Sequence, residues 1–166
     1  IAAGVALLPL VARLHGKQDF DGIKLELNCG LRAGSLYVLV LVLPLAFFLG
    51  PWIAEKLADA ELTRLFAVQG MAFVPFAALS LLPFLLARST FEGLEQPTPG
   101  LVATFTRATF LVVPLVALGS WLGPDFGFST LQGACTGYLV GQAIASLGLI
   151  FWVQAKVGRS AESVKV

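Results

Sequence analysis

Four long and nearly uncharged stretches limit most strongly what this chain can fold into. A charged side chain at the centre of a bilayer costs at least ~2.5–3.5 kcal/mol, so uncharged stretches mark segments that can cross a membrane. There are 22 uncharged residues between Arg32 and Glu55, and 23 between Arg64 and Arg88. A helix needs about 20 apolar residues to cross. Each of these two stretches is therefore predicted to be one transmembrane helix.

The second half of the chain holds two more such stretches. Only Arg107 interrupts the run between Glu95 and Asp125, and 30 uncharged residues separate Asp125 from Lys156. The opening apolar residues 1–12 would rise only about 18 Å as a helix, against a hydrocarbon core of about 30 Å. We therefore expect a fragment with four complete spans after a truncated one. The predicted segments are a truncated span at 1–14, an amphipathic cytoplasmic connection at 15–32, complete spans at 33–54, 66–87, 103–122 and 131–153, and a cytoplasmic tail at 154–166.

Composition agrees with an all-α, polytopic transmembrane helix bundle whose partner is the lipid bilayer. The chain is 57% apolar and 13% charged, whereas soluble domains are about 45–50% apolar and about 25% charged. The runs are continuously apolar and lack the alternating polarity of barrel strands. A net charge of +1 gives no electrostatic reason to expect nucleic acid as a partner.

Lys and Arg residues collect on one side of the predicted membrane. Cytoplasmic segments carry the excess of basic residues, and only Lys56 and Arg64 fall on the poorer side. This predicts a multi-pass protein of the cell (inner) membrane with a cytoplasmic carboxy terminus. The richer side holds Arg13, Lys17, Lys24, Arg32, Arg88, Arg107, Lys156, Arg159 and Lys165.

The first connection has an amphipathic pattern. Phe20, Ile23 and Leu27 recur at helical spacing between charged residues. Such a stretch suits a helix lying on the membrane surface. A solvated loop with one or two helical turns is the alternative.

A few polar side chains inside the spans are candidates for lining a substrate path. Polar groups at membrane depth usually face the bundle interior, although a serine hydroxyl can also bond to its own helix. Arg107 lies about two turns inside its span, where it can either snorkel towards the headgroups or face the interior. The candidates are Gln69, Ser80, Arg107 and Gln142.

Glycines and prolines add architectural signals. Gly133, Gly137 and Gly141 form a stripe at a spacing of four that lets another helix approach closely, within this protein or in a dimer. Prolines inside spans tend to kink helices and can serve as hinges or simply as packing features. The prolines within the predicted spans are Pro44, Pro75, Pro83 and Pro114.

Catalytic chemistry is not indicated. The complete spans contain no Asp, Glu or His, and the single His15 lies in the first connection. Cys29 and Cys135 match no metal-ligand spacing. We find no phosphate-binding loop and no nucleophile triad. We therefore expect no enzyme, no cofactor and no metal centre.

The order of parts resembles the multidrug and toxic compound extrusion (MATE) family. The most specific stretch is FEGLEQPTPGLVATFTRATFLVVPL, residues 91–115. Family members similarly show an aromatic-x-Gly loop, one or two prolines, and a helix with an arginine followed by a proline seven residues later. The corresponding positions are Phe91, Gly93, Pro97, Pro99, Arg107 and Pro114.

The resemblance implies a twelve-helix transporter of two lobes, with this chain as the carboxy-terminal part and the amino-terminal lobe as its missing partner. Such transporters export small amphipathic, often cationic compounds by alternating access. The implied coupling ion is sodium or a proton, bound mainly outside these residues.

Two other functions remain open. A related flippase for lipid-linked oligosaccharides or polysaccharides would need cations for a diphosphate group, and Arg88 and Arg107 are the candidates. A non-transporting membrane scaffold would assemble through the glycine stripe.

Overall fold

Helices account for 94% of the structure. The computed structural model describes residues 2–57 and 61–164, so Ile1, the residues at 58–60 and the predicted cytoplasmic cation Lys165 lie outside the described residues. The described helices are α1 (Ala2–Gly16), α2 (Phe20–Tyr37), α3 (Leu43–Leu57), α4 (Glu61–Gly93), α5 (Pro97–Thr106), α6 (Val113–Leu122) and α7 (Thr130–Val164).

Short π-helical turns join α2 to α3 and α5 to α6, so that each pair forms one continuous rod. The turns are Val38–Val42 and Arg107–Val112, and a 3₁₀ turn, Gly123–Phe126, follows α6. Four rods are long and apolar enough to cross a membrane, which confirms the predicted all-α helix bundle. They are Phe20–Lys56, Thr63–Gly93, Pro97–Phe126 and Thr130–Ser160.

Both π turns immediately precede a proline. Pro44 and Pro114 are each the second residue of the α-helix that follows the turn. In both turns, the N–H of the residue before the proline donates to the carbonyl five residues back. Because proline has no N–H and its ring crowds the preceding turn, a wider turn relieves that crowding. Pro75 and Pro83 lie within the α-helical α4, so only two of the four predicted kink sites coincide with π turns.

The buried core lies where α1, α2, α4 and α7 meet. Asp19 caps α2 by accepting a hydrogen bond from the Gly22 N–H at 2.9 Å. The Phe20, Ile23 and Leu27 face is buried against the other helices of the chain. This corrects both interpretations of the first connection, because that face meets protein rather than membrane surface or solvent. The core comprises Leu7, Val11, Phe20, Ile23, Leu27, Phe84, Leu86, Ala87, Phe91, Leu94, Leu149, Val153 and Val157.

An aromatic pair at this core yields a stability prediction. The fully buried Phe91 ring meets Trp152 edge to face, with centroids 5.4 Å apart. We expect Trp152→Leu to lower the free energy of unfolding in detergent by about 1 kcal/mol, because such ring pairs contribute about 0.5–1.5 kcal/mol beyond the area they bury. Trp121, which is 74% exposed, provides the matched control. Equal losses from Trp152→Leu and Trp121→Leu would contradict the prediction.

Candidate functional site

A hydrogen-bonded chain of side chains links three rods inside the bundle. Arg107 opens the π turn between α5 and α6, and its Nη1 donates to Oε1 of Gln142 at 2.6 Å. Gln142 Nε2 donates to Ser146 Oγ at 3.3 Å. That hydroxyl donates in turn to the Ser80 carbonyl of α4 at 2.5 Å. We call these four residues the polar network. It brings together three of the four predicted lining residues, namely Ser80, Arg107 and Gln142.

The α4 end of the network lies beside a proline. Pro83 has no N–H to donate within this turn of α4. The Ser146 hydroxyl donates to the carbonyl three residues before Pro83, whereas the carbonyl that loses its donor to the proline is that of Leu79. The hydroxyl of Ser80 instead donates to the Ala77 carbonyl of its own helix at 3.0 Å. Ser80 therefore takes part through its backbone rather than its side chain.

The guanidinium of Arg107 faces the interior rather than the helix end. Its Cζ lies 4.6 Å from the ring centroid of Phe84, which is 2% exposed, a cation–π distance. Its partner Gln142 is fully buried, and the Arg107 Nε is buried without a hydrogen-bond partner. Within residues 2–57 and 61–164, no carboxylate forms a salt bridge with Arg107. Arg107 therefore takes the interior position rather than snorkelling towards the headgroups. Its positive charge contacts the neutral side chains of Gln142 and Phe84.

The glycine stripe brings α7 against the rod that carries Arg107. A Cβ on Gly137 would collide with the Leu115 carbonyl, and one on Gly133 would collide with the carbonyl of Gly119. A Cβ on Gly141 would lie 3.2 Å from the Leu111 carbonyl oxygen, in the π turn. Since Gly141 adjoins Gln142, this backbone contact places the amide within reach of Arg107.

Gln69 lies apart from the network. Its Oε1 accepts a hydrogen bond from the Ser129 hydroxyl at 3.5 Å. It lines a cavity of about 660 Å³ between α3 and α4, together with Glu55 and Arg64. That a substrate path includes Gln69 or the network residues stays a prediction.

Sequence reasoning missed a carboxylate on α4. The charge-bounded span ended at residue 87, but α4 continues to Gly93 and carries Arg88 and Glu92. Arg88 Nε donates to Glu92 Oε1 at 2.8 Å. Their i,i+4 spacing was the available signal. The two charges line a second cavity of about 660 Å³, between α1 and α4.

Neither a metal-binding cluster nor a nucleophile pair is assembled in the described ranges. No three His, Cys, Asp or Glu side chains there lie close enough to hold a metal ion. Cys29 and Cys135 are free thiols on different helices. His15 packs its ring at 5.9 Å from that of Phe20, at the α1–α2 turn. Among the described residues, the candidate functional groups are therefore the polar network and the Arg88–Glu92 ion pair.

Comparison with solved structures identifies a similar fold. The chain matches a structure described as the outward-facing conformation of a multidrug resistance MATE family transporter of the MOP superfamily, with a TM-score of 0.82. This is a MATE-like fold. The two chains are 13% identical, and the match covers 96% of this chain and 35% of the transporter. The sequence matches no protein-family model, and no curated protein matches it significantly.

Proposed function

We propose that this chain forms the carboxy-terminal part of a cation-coupled antiporter that exports small amphipathic, cationic organic compounds. The observation that carries the proposal is the match of 96% of the chain to a MATE transporter at a TM-score of 0.82. Because the chain spans 35% of that transporter's length, transport requires further helices, in particular an amino-terminal lobe. Sodium or protons drive the exchange, and the carboxylates that bind them belong mainly to those further helices.

The internal contacts support a role in alternating access. In such transporters, one lobe rocks against the other around a central site, so helices within a lobe must move together. The polar network ties α4 and α7 to the π turn, and the glycine stripe packs α7 against α6. These helices move as one body during the cycle.

Two observations favour export over the alternatives. A flippase needs cations that converge on one diphosphate, whereas Arg88 lines the cavity between α1 and α4 and Arg107 is bonded to Gln142 inside the bundle. A scaffold that assembles through the glycine stripe needs that surface open, whereas α6 covers it.

The test is drug accumulation in a bacterial host that lacks its own multidrug exporters. We expect cells expressing the complete gene product to accumulate several-fold less of a fluorescent amphipathic cation than cells with an empty vector. Collapsing the sodium and proton gradients should remove the difference, because exchange against a cation supplies the energy.

A double variant separates export from lipid-linked saccharide flipping. Arg88→Gln/Arg107→Gln removes both candidate diphosphate ligands while keeping side chains that form hydrogen bonds. We expect export to remain mostly intact in this variant. Unchanged cation accumulation by the unsubstituted protein, together with a saccharide-transport activity that the double variant loses, would favour the flippase instead.

A further inference from the structure

The cavity between α3 and α4 has aromatic and charged walls. Phe48, Trp52 and Glu55 line it from α3, where their spacing at i, i+4 and i+7 places them on one face of the helix. Arg64 and Gln69 line it from α4. Its volume of about 660 Å³ lies within the roughly 300–1,000 Å³ that is typical of small-molecule sites. We call it the α3–α4 cavity.

The two charged side chains of this cavity are weakly paired. Arg64 Nη1 lies 4.0 Å from Glu55 Oε1, and the two side chains are 53% and 63% exposed. No hydrogen bond joins either of them to another described residue. Exposed ion pairs of this kind contribute little to stability. A ligand can therefore bind the Glu55 carboxylate by displacing Arg64 at small cost.

The aromatic walls decide which sign of charge the cavity favours. The face of an aromatic ring is negative, so it attracts cations, and tryptophan attracts them most strongly. Trp52 and Glu55 are three residues apart on α3, which corresponds to about 5–6 Å between their Cβ atoms. A cation at the carboxylate is therefore within reach of this ring. An anion at Arg64 would meet the same ring with the unfavourable sign.

The α4 side of the cavity offers apolar surface and one amide. Leu65 and Val68 provide the apolar surface. The Gln69 Oε1 accepts a long hydrogen bond of 3.5 Å from Ser129, and its Nε2 donates to no other described residue. Small-molecule sites typically combine mostly apolar walls with a few convergent polar groups. This cavity has that composition.

We propose that the α3–α4 cavity binds amphipathic organic cations, with Arg64 as a tethered competitor for the Glu55 carboxylate. The cationic group of the ligand contacts Glu55 and the Trp52 ring, and its apolar part lies against Leu65 and Val68. The choice of ligand rests on the proposed function, because it assigns residues that bind the exported compounds.

The test measures binding without an ion gradient, so that it does not depend on transport. Purified full-length protein in detergent is photolabelled with para-azidobenzyl trimethylammonium, and mass spectrometry locates the labelled residues. Competition by benzyltrimethylammonium gives the affinity. We expect the label on residues that line the α3–α4 cavity. An analogue with carbon in place of the nitrogen should label them less, since it lacks the charge.

Glu55→Gln and Arg64→Gln are the decisive variants, because both break the same ion pair. We expect Glu55→Gln to weaken binding of benzyltrimethylammonium about threefold, a factor typical of an exposed ion pair. Arg64→Gln should strengthen binding about threefold, because the competing cation is gone. If the ion pair had only a structural role, both variants would change binding in the same direction, and that result would overturn the proposal.

Trp52→Leu tests the aromatic wall. We expect binding to weaken about threefold, in line with a cation–π contact at an exposed site. Trp121→Leu is the matched control, because Trp121 is 74% exposed on α6 and should leave binding unchanged. Equal effects of the two substitutions, or a label that is absent from the cavity, would also overturn the proposal.

Failure of this site and failure of the proposed function give different results. Ion-driven export by a protein whose α3–α4 cavity takes up no label would overturn the site and leave the function standing. Labelling of the cavity with the expected pattern of variants, in a protein that exports nothing, would overturn the function and leave the site standing.

Discussion

Leucine at Gly137 is expected to separate α6 from α7 and to prevent recovery of folded protein. A Cβ at this position collides with the carbonyl of Leu115, and a backbone atom cannot move aside as a side chain does. Overpacking costs about 1–3 kcal/mol where side chains can adjust, so we expect a loss of about 3 kcal/mol or more. The measurement is the yield of monodisperse protein in gel filtration, followed by its thermal unfolding midpoint.

Gly148 provides the control on the same helix. It is exposed, and a Cβ there would meet nothing within 4 Å. Gly148→Leu should therefore give a yield and an unfolding midpoint close to those of the unsubstituted protein. Similar behaviour of Gly137→Leu and Gly148→Leu would contradict the tight α6–α7 contact.

Gln142→Leu is expected to remove the hydrogen-bond acceptor of the Arg107 guanidinium inside the bundle. Oε1 of Gln142 is the hydrogen-bond acceptor for Arg107 in the described part of the chain, and the Nε of Arg107 already lacks a partner. Arg107 is half-buried, and a hydrogen bond to a charged group contributes about 1.5–3 kcal/mol. We expect a loss of about 2 kcal/mol in the free energy of unfolding, because the Phe84 ring still faces the cation.

The double variant Arg107→Leu/Gln142→Leu should recover most of that loss. Replacing both members of a buried polar pair with apolar side chains is often neutral, since no unpaired group remains. Gln69→Leu is the control, because Gln69 has one long hydrogen bond of 3.5 Å, and its substitution should change stability by about 0.5 kcal/mol or less. A double variant no more stable than Gln142→Leu alone would contradict the proposed pairing.

The membrane-length helices were predictable because their constraint is local. An uncharged run of about 20 residues is visible in the sequence without any knowledge of tertiary contacts. The helix ends were less predictable, since charged residues also extend helices. The predicted span 66–87 belongs to a helix that runs from Glu61 to Gly93. Likewise, the predicted span 33–54 belongs to a longer rod that begins at Phe20, because α2 includes most of the predicted connection.

Non-local contacts limited the prediction of the site. Arg107 and Gln142 are separated by 35 residues, so the sequence could not choose between snorkelling and an interior position. Prolines marked the possible kinks, but whether a π turn forms depends on the surrounding packing. Pro114 follows such a turn whereas Pro83 does not. Glu92 was missed because the predicted span was ended at residue 87, just before Arg88, the first charged residue after the apolar run.

The most direct test of the proposed function is transport by the purified full-length protein in sealed proteoliposomes. A fluorescent amphipathic cation is supplied with an imposed sodium or proton gradient, and its movement across the membrane is recorded. We expect movement against its own gradient that begins when the ion gradient is imposed and stops when an ionophore collapses it. Movement of the cation that is indifferent to both ion gradients, or no movement at all, would contradict a cation-coupled exporter.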